Sequence, residues 1–467
     1  MKKINASEFL SDYYKFFQWC WPIISQEAFI SNWHIKKIAR RLQYLGLRIV
    51  NRERPDFLTN LFSVPPGSTK SSLISQCWII WLWLLDPSIK MMNVSYASGA
   101  SIKNSFAAKQ IFKCEEFKGI FGPLIKQMHG KDIELIRDLT DDWQNNFGGQ
   151  YFATSVTGQA TSFHFNVIIF DDPQNAEIAD SDTKRDNSNR MHDFTFPSRK
   201  MQPEITPVIY VGQRFHQTDT LGHVMLKDEP YYYLCLPAEL SDRVSPPELK
   251  EFYVNGLLNP IRHSTEILKK YKSDLGSFAY AGQYLQNPYP EEGGYIKKDW
   301  FMYLDSAPDG IAYDLFIDGA YTDKAKNDPT GFMVAGFDIA HNRLIIKYCS
   351  SDWLVIPDVI KRVKEIVPEY GNRATMIYVE PKASGYSFIQ MIQKETLFNV
   401  SRIVGRLVQD GKMARVKYAS PKVESSRVYL VKGNWNNEFI TQLTAFPNYN
   451  HDEYCDLLGY AVKKYFG

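Results

Sequence analysis

The 467-residue chain has no cysteine pair at metal-binding or redox spacing. Its six cysteines, Cys20, Cys77, Cys114, Cys235, Cys349 and Cys455, are scattered, with no C-x-x-C and no histidine cluster beside them. This pattern argues against a zinc site and a disulfide framework, and it suits a reducing compartment. Charge of one sign is also lacking: 54 Lys+Arg against 52 Asp+Glu leave a formal +2. The whole-chain balance therefore announces neither a nucleic-acid nor a membrane partner, and any polyanion site must be local. No apolar run is long enough to span a bilayer. The longest, Cys77–Leu85 (CWIIWLWLL), stops at Asp86-Pro87 at about half the required length, and it reads as a buried core helix. The opening segment, MKKINASEFLSDYYKFF, carries Glu8 and Asp12 where a secretory signal would hold an uninterrupted apolar core, so secretion is not expected. No repeat of fixed period is found.

What the chain does have is an ordinary globular mix, 44% hydrophobic, 14% aromatic and 23% charged. At roughly 100–200 residues per domain its length predicts two to four domains. Residues 1–59 read as an N-terminal helical arm. From 60 to 285 short β-rich runs alternate with helical stretches, as in a doubly wound α/β domain with a lid or linker region. Strands are expected at Leu61–Val64, Met92–Ala97, Val167–Phe170 and Val208–Gly212, and helices at Ser71–Leu85 and Ser101–Cys114. Two prolines and two glycines in Gln286-Asn-Pro-Tyr-Pro-Glu-Glu-Gly-Gly294 break any regular element, which sets a linker at 286–304. A second α/β pattern fills 305–467: strands at Asp314–Asp318, Gly331–Phe337 and Arg343–Tyr348, a helix near Pro357–Val367, a strand at Thr375–Glu380, and helices at Ser387–Glu395 and Asp452–Tyr465. A three-strand meander followed by a helix and a parallel strand is the order of a ribonuclease-H-like fold.

Val64-Pro-Pro-Gly-Ser-Thr-Lys-Ser71 lies between a strand and an apolar helix, where a phosphate-binding loop belongs. The loop Pro66–Ser71 would cradle phosphates with the backbone N–H groups of its non-proline residues at the helix start, Lys70 would neutralise the terminal ones, and the Ser71 hydroxyl would hold Mg²⁺. Both glycines of the strict pattern are replaced, by Val64 and Thr69, so the stretch also fits a proline-rich turn before a core helix. Asn166-Val-Ile-Ile-Phe-Asp-Asp-Pro173 is an apolar strand ending in Asp171 and Asp172, carboxylates suited to a hydrated Mg²⁺ and an attacking water. A third strand, in Thr206–His216, ends at Gln213 and Arg214. In a sheet of this kind, ligands sit at the carboxyl ends of the strands, where all three clusters would converge.

The second half supplies carboxylates of a different pattern. Asp318 closes the first strand, Glu380 closes a later one, and Asp452 and Asp456 stand four apart on one face of the final helix. Oxygen donors without histidine or cysteine suit Mg²⁺ or Mn²⁺, and two such ions would activate water and stabilise the leaving oxygen of a phosphodiester. Asp328 and Glu453 read as supporting or surface residues. The stretch Arg402–Lys422 has six basic residues and one acid, Asp410; it would contact backbone phosphates or form a solvated loop.

The run PPGSTKSSLISQCWIIW, then Ser95–Gly99 (SYASG), Gly148–Gly158 (GGQYFATSVTG), VIIFDDP and Val211–Gly222 (VGQRFHQTDTLG) resembles the large terminase subunit of tailed double-stranded-DNA phages, over about Trp33 to Ala461. The resemblance implies an ATPase that pumps DNA into a procapsid, fused to a ribonuclease-H-like endonuclease that cuts concatemeric DNA. It further implies Lys70 and Ser71 for phosphates and metal, Asp171 for Mg²⁺, Asp172 in the place of the catalytic glutamate, and Gln213 and Arg214 for coupling. Asp318, Glu380 and Asp456 would be the nuclease acids, with Asp452 a fourth. Its implied partners are double-stranded DNA, a portal protein, a small terminase subunit and four further copies in a ring, in the cytoplasm of an infected bacterium and away from membranes. Two departures stand out: Gly67 and Ser162-Phe-His-Phe165 occupy places where many relatives carry arginine. No arginine finger is assigned, and Arg190 and Arg199 are the candidates. A helicase-like translocase with a fused nuclease, and a packaging-ring protein with a decayed nucleotide site, remain open readings.

Overall fold

The computed structural model describes residues 5–158, 163–288, 294–319, 329–371, 375–380, 383–403, 411–447, 449 and 452–467. They form two compact units, Met1–Leu268 with Ala279–Tyr289, and Lys269–Phe278 with Pro290–Gly467. Each has its own sheet and its own apolar cores. The six cysteines are free thiols. No helix among the described residues is long and apolar enough to cross a membrane.

The first unit is built on strands β1 (Thr59–Ser63), β2 (Lys90–Ser95), β3 (Leu135–Asp138), β4 (Asp142–Asn145), β5 (Gln150–Ser155), β6 (Val167–Asp171), β7 (Val208–Gly212) and β8 (Tyr231–Cys235), in the order β3-β4-β5-β2-β6-β7-β1-β8. From β5 to β8 every pairing is parallel. Parallel strands are covered on both faces, which explains why β6 and β7 are continuous apolar runs buried along their whole length. The helical run after the β1 loop opens with a π-helical stretch, Ser72–Cys77, and continues as Trp78–Leu85, whose residues are buried through Leu84. A helix apolar on all sides is stable only inside such a core. This is the P-loop type of α/β fold: β7 lies between β1 and β6, and all three strands deliver their carboxyl ends to one edge.

The second unit contains β9 (Met302–Leu304), β10 (Tyr313–Asp318), β11 (Thr330–Asp338), β12 (Arg343–Asp352), β13 (Met376–Val379), β14 (Asn399–Arg402) and β15 (Val428–Val431), ordered β14-β13-β10-β11-β12-β15-β9. Strands β10, β11 and β12 form the antiparallel meander, and β13 adds to β10 in parallel, the ribonuclease-H-like arrangement. The Glu453–Phe466 helix buries every residue from Glu453 to Val462. The basic stretch Arg402–Lys422 is not simply a loop. Its residues 404–410 lie outside the described set, but Lys412–Glu424 is a helix with Arg415 and Val416 buried. It packs on the C-terminal helix at Gly459, where a Cβ would come within 2.8 Å of Arg415 Cβ; glycine there lets the Arg415 stem approach.

Candidate functional site

The loop after β1 folds back over the start of the following helix. Gly67, with φ of +74°, makes its turn, and Thr69 occupies the left-handed region at +64°. The second strict-pattern glycine is therefore replaced at a position whose backbone still adopts a glycine-like conformation. Val64 has no such need. Its N–H bonds Gly212 O at 3.1 Å, prolonging the β1–β7 ladder. A cavity of about 300 Å³ is lined by residues 66–72 of the loop together with Asp172 and Gln213.

Lys70, 7% exposed, points its ammonium to within 3.4 Å of Asp172 Oδ2. Asp172 holds φ of +44° at the sharp end of β6, and its N–H and C=O are bonded to Val211 O and Tyr96 N–H. Its Oδ1 has no hydrogen-bond partner, and neither does Gln213 Oε1. Asp171, 3% exposed, does not line the cavity and accepts from three side chains. Ser71 Oγ donates to Oδ1 at 2.9 Å, and Ser75 Oγ and Asn104 Nδ2 donate to Oδ2 at 2.7 and 2.9 Å. Burial, followed by the like charge of Asp172, pushes Asp171 up to about 6, against the lowering effect of Ser75, Lys70 and Ser71.

Arg214 does not join this cavity. Its Nε donates to both oxygens of Asp219 at 3.0 Å, and its Nη2 to His216 O and Gln217 O. With both partners nearly inaccessible, the guanidinium organises the turn after β7, and only Gln213 of that pair faces the cavity. Arg190 is exposed, and Arg199 Nε is bonded to Thr195 O; neither lines the cavity. Phe163, in the second arginine-lacking segment, packs 5.2 Å from the Phe152 ring, while Ser162 lies outside the described residues.

Three contributors were not found from sequence. Ser75, one helical turn after Ser71, was signalled only by its i+4 spacing. Asn104 comes from the Ser98–Lys113 helix, and His34, 1% exposed, supports the loop from beneath through Nε2 to Ser68 O at 3.3 Å. No sequence pattern marks either.

In the second unit the ends of β10 and β13 are register neighbours, Ile317 opposite Val379, so Asp318 and Glu380 emerge side by side. Asp456 meets them from the last helix. One carboxylate oxygen from each of the three lies within 4.8 Å of the others. Glu380 and Asp456 are 2% and 0% exposed. Tyr460, one turn after Asp456, donates its hydroxyl to Glu380 Oε1. Arg415 Nε donates to Asp456 Oδ1 at 2.5 Å, whereas Asp456 Oδ2 is buried without a partner. Burial raises the Asp456 carboxyl and Arg415 opposes the rise.

Asp452 stands apart from this trio. The helix begins at Glu453, so Asp452 is its N-cap at φ −143°, ψ 15°, and its carboxylate pairs with Lys412. Asp452 therefore shares no helical face with Asp456, because it precedes the first helical residue. Glu453 is a buried supporting residue, 2% exposed, accepting from Gln442 Nε2 at 2.9 Å. Asp328 and Asp410 lie outside the described residues.

The buried acids with hydroxyl and amide donors suit a nucleotide-bound Mg²⁺ in the first unit. The all-oxygen trio, with an unpartnered buried oxygen on Asp456, suits Mg²⁺ or Mn²⁺ in the second. No protein-family model matches the chain, and no curated protein matches it. Solved structures similar to it include the large terminase of a thermophilic bacteriophage in complex with ADP, 11% identical, covering 91% of this chain and 99% of that chain at a TM-score of 0.48. The same phage protein in complex with ATP-gamma-S covers 86% of this chain and 90% of that one, at 11% identity and TM-score 0.45. The large terminase nuclease of thermophilic phage G20c with bound magnesium is 15% identical and covers 38% of this chain and all of that one, at TM-score 0.29.

Proposed function

We propose that the chain is a DNA-packaging terminase large subunit, an ATPase that drives double-stranded DNA into a procapsid and a metal-dependent endonuclease that cuts the concatemer. The observation that carries this reading is the presence in one chain of two distinct acid sites: a phosphate-loop cavity lined by Lys70, Asp172 and Gln213, and the Asp318, Glu380, Asp456 trio.

In the ATPase, loop N–H groups and Lys70 bind the phosphates of ATP, and Ser71 with Asp171 would hold Mg²⁺. That ion, when bound, neutralises charge on the terminal phosphates. Asp172 faces the cavity and orients the attacking water as general base. Gln213 senses the same space from the end of β7. In the nuclease, Asp318, Glu380 and Asp456 would hold Mg²⁺ or Mn²⁺, which supplies an activated water and stabilises the leaving oxygen. Tyr460 orients Glu380, and Arg415 orients Asp456. A ring of five copies, a portal protein and a small terminase subunit complete the proposed assembly.

The test separates the two activities on protein assembled with procapsids as well as free protein. Lys70→Ala should lower DNA-stimulated ATP hydrolysis by roughly a hundredfold or more and leave metal-dependent cutting in place. Asp318→Ala should do the reverse. Full ATPase in Lys70→Ala would show that the nucleotide site is misassigned, and strand displacement by the wild type would favour a helicase-like translocase.

A further inference from the structure

Outside both sites, the first unit holds a compact cluster of imidazoles around one carboxylate. His192 and Asp193 lie near the end of the Asp182–Thr195 helix, and His223 lies on the short Thr220–Met225 helix. His192 Nδ1 is 2.8 Å from Asp193 Oδ1, and His223 Nε2 is 2.9 Å from Asp193 Oδ2. One ligand atom from each residue lies within 4.8 Å of the other two. We propose that His192, Asp193 and His223 form a binding site for a divalent transition ion of the Zn²⁺ or Co²⁺ class.

Four features carry the proposal. Ligand atoms around a tetrahedral ion with bonds of about 2.0–2.2 Å are about 3.3–3.6 Å apart, so the cluster needs only small shifts to close on one. The other ring nitrogen of His192 meets the hydroxyl of Tyr210, a residue of β7. An outer partner of that kind fixes ring orientation in metal sites. Two imidazoles with one carboxylate suit borderline ions such as Zn²⁺, in contrast to the all-oxygen trio of the second unit. Finally, the cluster already recruits a cation: Lys227 pairs with Asp193 through a side chain about one-third exposed (34%), so an arriving ion would displace a flexible ammonium and take over the two imidazole–carboxylate contacts. Three protein ligands leave one position for water. The ion would tie the Asp182–Thr195 helix, downstream of Asp171 and Asp172, to the Thr220–Met225 helix, downstream of Gln213.

The experiment titrates Co²⁺ into full-length protein carrying Asp318→Asn, which weakens the nuclease trio as a competing site. The expected result is one equivalent of Co²⁺ with the visible absorption of a four- or five-coordinate, nitrogen-ligated ion, displaced by Zn²⁺. His223→Gln, at a partly exposed position, should abolish that signature with the far-ultraviolet circular dichroism unchanged. Lys227→Met should tighten binding by roughly tenfold through removal of the competing cation. An Asp318→Asn protein that gives no such spectrum overturns the proposal, and so does a titration that His223→Gln leaves unaltered. A Lys227→Met protein that binds no more tightly counts against it without requiring any change in a ligand.

Discussion

Asp171 and Asp456 are both buried carboxylates at the centre of an acid cluster, yet they are satisfied in opposite ways. Asp171 accepts from three neutral side chains, Ser71, Ser75 and Asn104, which leave neither oxygen idle. Asp456 is paired with a guanidinium, and its second oxygen has no partner. The first arrangement orients a carboxylate without cancelling its charge, as suits a metal that arrives with a polyanionic nucleotide. The second supplies a resident cation, so a metal bound at the trio would share Asp456 with Arg415. One cluster is a network of neutral hydrogen-bond donors, and the other is built on an ion pair.

The largest effect expected from this contrast follows removal of the resident cation. Arg415→Met leaves Asp456 buried and unpaired, and breaking such a pair from one side costs about 3–5 kcal/mol. Urea unfolding of the full chain should show a loss of that size in the transition of the second unit, with added Mg²⁺ restoring part of it. Asp456→Asn in the same background should recover stability, because the uncompensated charge is gone. If Arg415→Met is as stable as the parent, the ion pair is ornamental and the contrast collapses.

A smaller effect belongs to the first unit, whose loop after β1 rests on a neutral imidazole. Burial pulls His34 down to about 4 from its ordinary 6.5. The unfolded chain thus takes up a proton near pH 6.5 that the folded chain resists until about pH 4. The contribution of His34 is present above pH 6.5 and is lost as pH falls through that window, amounting to about 2 kcal/mol between pH 7 and pH 5. His34→Gln should remove this share of the acid sensitivity, read as the difference in unfolding free energy at the two pH values. His192, held near 4 by burial, supplies a second share that the substitution leaves intact.

The same contrast explains what could be read from the chain. The loop after β1, the Asp171–Asp172 pair and Gln213 are each local runs at strand ends, and the parallel sheet brings strand ends together, so their convergence on one edge followed from their order. Asp318, Glu380 and Asp456 were legible for the same reason, one per element in a fold whose strand order could be anticipated. Arg415 was not, because a basic residue within Arg402–Lys422 looks like surface charge; only the helix Lys412–Glu424 seated on Gly459 turns it inward. Arg214 failed in the other direction. It adjoins Gln213, but adjacent residues at a strand end point to different sides, and Asp219 captures it. Asp452 failed because helical spacing holds only inside the helix.

The smallest expected effect tests whether the loop after β1 carries avoidable strain. Thr69 is β-branched and sits at φ of +64°, a conformation that costs a side-chain-bearing residue about 1–2 kcal/mol. Thr69→Gly removes that cost but frees the unfolded chain, an entropic penalty of about 0.5–1 kcal/mol. The net expectation is a stabilisation of about 0.5–1 kcal/mol, measured by denaturant midpoint at unchanged slope. If the Thr69 side chain has no part in nucleotide binding, KM for ATP stays where it was. A Thr69→Gly protein that is more stable but binds ATP less well would instead show that the strain is retained for contact with the nucleotide. That outcome would bring the first cluster closer to the second, since both would then hold a side chain in an unfavourable state until the ligand arrives.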